Sequence, residues 1–169
     1  MPIKKDNEAV VMFLNSILEK ADEYSRHVDN QINILVGLCT AIFVFCAAQI
    51  QTFGFANSAY WTVLGLFSVT AAIVGLFGLH PPRFISKHGQ KESYMYSKNI
   101  ANADSAKEYA EKLAEIVKSE DKITEQYSIE IYNVYKYYYR PKRSFFKASR
   151  SVLITGLLTT SLLFIISYI

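Results

Sequence analysis

The stretch INILVGLCTAIFVFCAAQI at residues 32–50 decides the fold of this chain. It contains no Lys, Arg, Asp or Glu, and the same is true of WTVLGLFSVTAAIVGLFGL at residues 61–79 and SVLITGLLTTSLLFIISYI at residues 151–169. Each run has 19 residues, and a helix of that length, rising about 1.5 Å per residue, spans about 28 Å. The hydrocarbon core of a bilayer is about 30 Å thick. The sequence therefore predicts three transmembrane helices, the first two joined by a polar connector at residues 51–60.

The charged residues lie in two segments, residues 1–31 and 80–150, and the second carries 14 of the 18 Lys and Arg residues. Because loops rich in Lys and Arg stay on the cytoplasmic side, both segments are predicted to be cytoplasmic. The protein is then a multi-pass membrane protein with a cytoplasmic amino terminus, and its connector and carboxyl terminus lie on the opposite side of the membrane. Six acidic residues precede the first run. They are not typical of a secretory leader, so we expect that run to be kept as an anchor.

The two charged segments carry helical patterns. In residues 1–31 a stripe of apolar residues at steps of three and four predicts one amphipathic helix that continues into the first span; its members are Val10, Leu14, Ile17, Ala21, Tyr24 and Val28. A similar stripe runs from Ala106 to Tyr138 after a loop with a short helix at 92–99. We expect Pro81 and Pro82 to end the second span, and Pro141 to kink or break the helix before the third.

The expected fold is all-α: three membrane spans with a cytoplasmic bundle formed by the amino-terminal helix and the long helix before the last span. Neither apolar stripe can stay exposed to water, so the two helices are expected to pack together. The pattern is equally compatible with packing within one subunit and packing between subunits of a homo-oligomer. Small residues spaced four apart, Gly37 with Ala41 and Ala71 with Gly75, would permit close helix contacts.

No pattern typical of catalysis occurs. The chain has no phosphate-binding glycine loop and no HExxH, and about 100 residues outside the runs and connector leave little room for a catalytic domain. Cys39 and Cys46 lie on one face of the first span and are interpreted as small apolar fillers, and the three His residues are isolated. We therefore predict no enzyme activity, no metal site and no cofactor. The net charge of +3 gives no reason to expect a nucleic acid partner.

Two clusters rise above this background as candidate ligand-binding residues. The first lies where the amino-terminal helix enters the first span, and its candidates are Arg26, Asp29 and Asn33. The second lies in the tyrosine-rich stretch at 132–143, and its candidates are Tyr135, Lys136, Arg140, Lys142 and Arg143. Aromatic faces beside cations can hold a nucleotide base and its phosphate. The same composition also serves as an interfacial belt that contacts lipid headgroups, and the sequence leaves both interpretations open.

At these residues the chain resembles the transmembrane effectors of Pycsar antiphage defence. The entry into the first span, DNQINILVG at 29–37, resembles the family's D-x-K-A-N-I-L-x-G pattern, with Gln31 in place of its Lys. The arrangement of span, short connector, span and Pro is similar, and so is a long helix that passes through Tyr132 and Arg143 into a last span containing Gly156. Here Pro141 interrupts that helix pattern.

The resemblance implies a function. A pyrimidine cyclase makes cyclic CMP or cyclic UMP during phage infection, and the effector senses this messenger and damages the inner membrane, which causes abortive infection. The cyclase is then a functional partner without a stable complex, and membrane lipid is the target. The resemblance also implies that the membrane is the bacterial inner membrane, so the connector and the carboxyl terminus are expected to be periplasmic. Two other functions fit the same sequence: a ligand-independent, holin-like toxin, and a scaffold that binds a partner protein through its apolar stripes. A membrane enzyme is a more distant alternative.

Overall fold

The helices account for nearly all of the protein that the computed structural model describes, which is residues 4–54, 58–80 and 91–168. In chain order the α-helices are α1 (Lys4–Phe53), α2 (Ala59–Leu79), α3 (Ser97–Ala101), α4 (Ala106–Val117), α5 (Glu120–Asn133) and α6 (Arg140–Tyr168), with a π-helical segment (Val134–Tyr139) between α5 and α6. No strand occurs among these residues. The predicted all-α class is confirmed.

Helix α1 runs without interruption through the amphipathic stripe and the first apolar run. This confirms the prediction of one continuous helix, which follows from the absence of Pro between the two patterns. The helix ends at Gly54, whose φ of 75° lies in the left-handed region that terminates helices. Because α1 reaches Phe53 and α2 begins at Ala59, the two helices include both ends of the predicted connector at 51–60.

Three helices among the described residues are long and apolar enough to cross a membrane: the first span lies within α1, the second is α2, and the third lies within the continuous helical stretch Glu120–Ser167. The predicted three-span architecture is confirmed. Helix α2 begins two residues before the predicted run at 61–79 and ends with it at Leu79. Pro81 and Pro82, predicted to end this span, lie outside the described residues.

The long helix predicted from Asp104 onward is interrupted once. Helix α4 begins at a cap in which the Ser105 hydroxyl accepts a hydrogen bond from the Glu108 backbone N–H at 3.1 Å. It ends at Val117, and α5 begins at Glu120, a polar residue at which the apolar stripe has a gap. The short helix expected at 92–99 is α3, which begins later than predicted.

Pro141 was predicted to kink or break the helix before the third span, and the structure shows that it does not break it. The chain stays helical from α5 through the π-helical segment into α6, and the Arg140 backbone N–H donates to the Tyr135 carbonyl five residues back. In a regular α-helix the proline ring would clash with the carbonyl of Tyr137. A π-helical turn spaces the backbone differently and accommodates the ring without ending the helix.

The chain divides into two compact units. The polar unit consists of Met1–Ser25 and Arg83–Arg140, and the span unit of Arg26–Pro82 and Pro141–Ile169. The start of α1 therefore belongs to the same unit as the later helices of its own chain. This grouping is the one expected for packing within one subunit. Ala21 of the stripe is fully buried, and the ring of Tyr24 lies 6.3 Å from that of Tyr139.

The core of the span unit joins all three spans. Leu35, Cys39, Ala71 and Leu153 form one buried apolar cluster. The Ser149 hydroxyl donates a 2.6 Å hydrogen bond to the Ala71 carbonyl, which satisfies a polar group where water is absent. Large apolar side chains on the outer faces are exposed in this single chain, as expected for residues that contact lipid; they include Ile34, Leu38, Leu66, Leu158 and Ile166.

The two pairs of small residues have different surroundings. Ala71 and Gly75 are buried, and a Cβ added at Gly75 would lie 2.8 Å from a methyl group of Val36. A Cβ added at Gly37 would meet nothing within 4 Å, and Ala41 is exposed. The pair in α2 therefore permits close packing within the span unit, whereas the pair in α1 faces outward.

Candidate functional site

The polar unit contains an open cleft of about 550 Å³, called the cleft below. Ligand sites commonly enclose 300–1,000 Å³, so this volume is enough for a small molecule. The cleft is lined by both charged and aromatic side chains: Lys91, Glu125, Ser128, Ile129, Tyr132, Asn133 and Tyr137.

One wall of the cleft is the segment at 91–99, which hydrogen bonds hold against α5. The Asn133 side-chain amide donates to the Lys91 carbonyl at 3.0 Å, and the Gln126 side-chain oxygen accepts from the Tyr94 backbone N–H at 2.9 Å. The buried Ser93 hydroxyl donates to the Glu130 carboxylate. These contacts fix the backbone of Lys91 while its side chain stays exposed.

The π-helical segment brings the aromatic wall together. Residues five apart in an α-helix point about 140° away from each other around the axis, so Tyr132 and Tyr137 would not meet. In a π-helix the repeat lengthens to match an i to i+5 hydrogen bond. The two rings accordingly lie 6.2 Å apart in an edge-to-face arrangement, which is favourable for aromatic pairs.

A cation lies beside this aromatic pair. The Lys136 ammonium is 4.7 Å from the centroid of the Tyr132 ring and 5.6 Å from that of Tyr137, within the range of cation–π attraction. It also donates a hydrogen bond to the Tyr132 hydroxyl, and this contact raises the pKa of Lys136 above its ordinary value. The lysine is therefore charged at neutral pH.

An ion pair between Lys91 and Glu125 lines the cleft. The Lys91 ammonium lies 2.5 Å from the Glu125 carboxylate, and both side chains are more than half exposed. The hydrogen bond that Lys91 donates is the main cause that lowers the pKa of Glu125, and the positive charge of Lys91 lowers it further. The same two residues also line a neighbouring cavity of about 230 Å³, where Lys122 lies 2.6 Å from Glu115.

Tyr138, which belongs to the π-helical segment, forms a partly buried contact with Tyr96. The Tyr138 hydroxyl donates to that of Tyr96 at 3.1 Å. Burial is the main cause that raises the pKa of Tyr138, and the hydrogen bond to Tyr96 raises it further. The phenol therefore stays neutral at physiological pH. The contact fixes one more point of the 91–99 segment against the helix that forms the cleft.

The sequence model of the Pycsar effector protein domain matches residues 13–168, which is nearly the whole chain. The chain belongs to the Pycsar effector family. It is therefore an antiphage membrane effector, linked in function to a pyrimidine cyclase and a nucleotide signal. No curated protein and no solved structure matches it.

The residues that the sequence singled out fall in both units of this Pycsar effector. Tyr135, Lys136 and Arg140 belong to the polar unit. Only Lys136 touches the aromatic wall of the cleft; Tyr135 packs on the ring of Tyr139 at 5.8 Å, and Arg140 is exposed. The span unit contains the other candidates, which are Arg26, Asp29, Asn33, Lys142 and Arg143.

Two of the span-unit candidates contact each other. The Lys142 ammonium lies 2.7 Å from one carboxylate oxygen of Asp29, and both side chains are largely buried. Arg26 and Asn33 are exposed on α1. The pairing of Asp29 with Lys142 gives both residues a structural role, and their assignment as ligand-binding residues stays a prediction.

Sequence reasoning did not select Lys91, Glu125 or Asn133. Lys91 and Glu125 are 34 residues apart, and nothing in the pattern of either segment predicts that they meet. The stretch at 132–143 was chosen for its aromatic and basic composition and contains Tyr132 and Tyr137, but neither tyrosine was among the candidates named from it. Among the described residues, no group of His, Cys, Asp or Glu could hold a metal ion.

Proposed function

We propose that this Pycsar effector binds cyclic CMP or cyclic UMP in its polar unit and then impairs the integrity of the inner membrane without any catalytic step. The observation that carries the proposal is helical continuity. Helix α1 passes from the polar unit into the first span, and the helix that contains Tyr132 and Tyr137 continues into the third. A change in packing around a bound nucleotide is then transmitted directly to two of the three spans.

The proposed orientation places the polar unit in the cytoplasm, where a cyclase releases its product. The distribution of Lys and Arg supports it, since 14 of the 18 lie in residues 83–150. The carboxyl terminus is then periplasmic. Cells that lose the membrane barrier stop growing before phage mature, which makes the outcome abortive infection.

A ligand shifts a conformational equilibrium only by the difference in its affinity for the two states. The nucleotide must therefore bind more tightly to the polar unit of the membrane-damaging state. Three helices of one chain are too few to enclose a water-filled pore, so we propose that leakage requires a homo-oligomer or local disorder of the lipid. The exposed apolar faces of the spans are the surfaces available for such contacts.

The first prediction concerns leakage from vesicles. Purified full-length protein in liposomes that contain a self-quenched dye should release dye severalfold faster when cyclic CMP or cyclic UMP is added at saturating concentration. Cyclic AMP at the same concentration serves as a control for pyrimidine selectivity. Permeability that stays at its basal value with both pyrimidine nucleotides would contradict the proposal.

The same measurement separates the two other functions. Rapid leakage without nucleotide, retained after deletion of residues 104–127, would indicate a ligand-independent toxin. Tight liposomes together with stable co-purification of a second polypeptide would indicate a scaffold. The charged cleft in the polar unit favours the nucleotide-controlled effector, because neither alternative requires one.

A further inference from the structure

We infer that the cleft is the nucleotide-binding site of this effector. In this assignment Tyr132 and Tyr137 hold the pyrimidine base, Lys91 and Lys136 bind the cyclic phosphate, and Glu125 accepts a hydrogen bond from the nucleotide. The inference rests on the proposed function and adds to it the location of the site and the role of each side chain.

The aromatic wall fits a pyrimidine base. Every base has a π-face, so an aromatic side chain can stack on a base with little dependence on which base it is. Tyr132 and Tyr137 meet edge to face, so the face of one ring and the edge of the other form a corner. Tyr132 is about half exposed, which leaves its ring accessible from the cleft.

The cations fit the phosphate. A cyclic mononucleotide carries one negative charge on its phosphodiester, and an ammonium group binds such a group as a point charge. Lys136 does not itself line the cleft, but its ammonium lies over both rings of the aromatic wall. The Lys91 side chain does line the cleft, and it is 72% exposed and therefore free to move toward a ligand. Its backbone stays in place because Asn133 holds the Lys91 carbonyl.

The Lys91–Glu125 ion pair acts as an exchangeable contact. An exposed ion pair contributes little stability, so a phosphate can replace the Glu125 carboxylate at Lys91 at small cost. Glu125 is then left ionised and able to accept a hydrogen bond from the ribose 2′-hydroxyl or from the amino group of cytosine. Uracil lacks that amino group but has an N3–H, so comparison of the two nucleotides distinguishes a contact to the cytosine amino group from a contact to a donor that both nucleotides have, such as the ribose 2′-hydroxyl.

Binding by full-length protein in lipid nanodiscs, measured by calorimetry with cyclic CMP and with cyclic UMP, tests the assignment. Tyr137→Leu removes the π-face and should weaken binding about tenfold, whereas Tyr137→Phe keeps the ring and should stay within about twofold of the wild type. Lys91→Met should weaken binding about fivefold or more, with a reduced dependence on salt. Lys107→Met, at an exposed lysine of the same unit that does not line the cleft, is the matched control and should bind as the wild type does.

Glu125→Gln gives the base-specific result. A larger loss of affinity for cyclic CMP than for cyclic UMP places Glu125 at the cytosine amino group, and an equal loss places it at a donor that both nucleotides supply, the ribose 2′-hydroxyl or the base edge. Both results support the site.

Two outcomes overturn different statements. If wild-type protein binds neither nucleotide, the proposed function fails together with the site. If the wild type binds but Lys91→Met has unchanged affinity, only the location of the site is wrong. Lys91 is a largely exposed side chain, so its replacement does not endanger folding and this result is decisive.

Discussion

Replacement of Gly156 with alanine is expected to destabilise the span unit by about 1–3 kcal/mol, because it inserts a methyl group into a close helix contact. A Cβ at this position would collide with the Cβ of Phe67 and lie 2.7 Å from its Cγ. The Phe67 Cβ is fixed to the backbone of α2 and cannot rotate away, so the two helices must separate. The effect is measurable as a shift of the unfolding transition when purified protein is titrated with a denaturing detergent.

Gly37→Ala is the matched control for this prediction. The change inserts the same methyl group into another span, but nothing lies within 4 Å of it. Alanine is also the better helix former by about 1 kcal/mol in a helix interior. The Gly37 variant should therefore be at least as stable as the wild type, and equal stability of both variants would show that α2 and α6 do not pack as closely as described.

Removal of one partner of the Asp29–Lys142 pair should have the second large effect. In Lys142→Met the Asp29 carboxylate loses its 2.7 Å contact, and its other oxygen, Oδ1, is already buried without a hydrogen-bond partner. Breaking a fully buried pair costs about 3–5 kcal/mol. Because Asp29 is 32% exposed, we expect a smaller loss of about 1–3 kcal/mol.

The double variant Asp29→Asn with Lys142→Met should be more stable than Lys142→Met alone, since no unpaired charge remains. A double-mutant cycle would then give a coupling energy of about 0.5–3 kcal/mol. Lys147→Met, at an exposed lysine of the same helix, controls for loss of positive charge and should change the unfolding transition little. A coupling energy near zero would contradict a pair that stabilises the span unit.

The architecture was predictable from sequence because it depends on local properties. A run of 19 uncharged residues cannot satisfy its backbone in lipid except as a helix, so each run indicates a span without knowledge of its neighbours. The continuity of α1 was predictable because no Pro and no helix-terminating Gly lies between the amphipathic stripe and the first apolar run. The close contact at Gly156 depends on Phe67 of another helix, and no local pattern identifies it.

The cleft was only partly predictable. The tyrosine-rich stretch drew attention through its composition, but the other wall comes from Lys91 in a segment that reads as an ordinary polar loop. The π-helical segment was missed because its residues continue the apolar stripe at Val134 and Tyr138, a pattern typical of an α-helix. Pro141 was the one local signal of irregular backbone there, and it was interpreted as a kink or a break.

The π-helical segment contains one residue more than the same length of α-helix would, and Pro141 prevents a return to the α-helical repeat. In an α-helical repeat the Tyr137 carbonyl would clash with the proline ring, so the segment stays π-helical while Pro141 is present. Substitution of Pro141 by alanine removes that obstacle. The helix is then free to tighten, which would turn Tyr137 away from Tyr132 and separate the rings of the aromatic corner, although neither tyrosine has been altered.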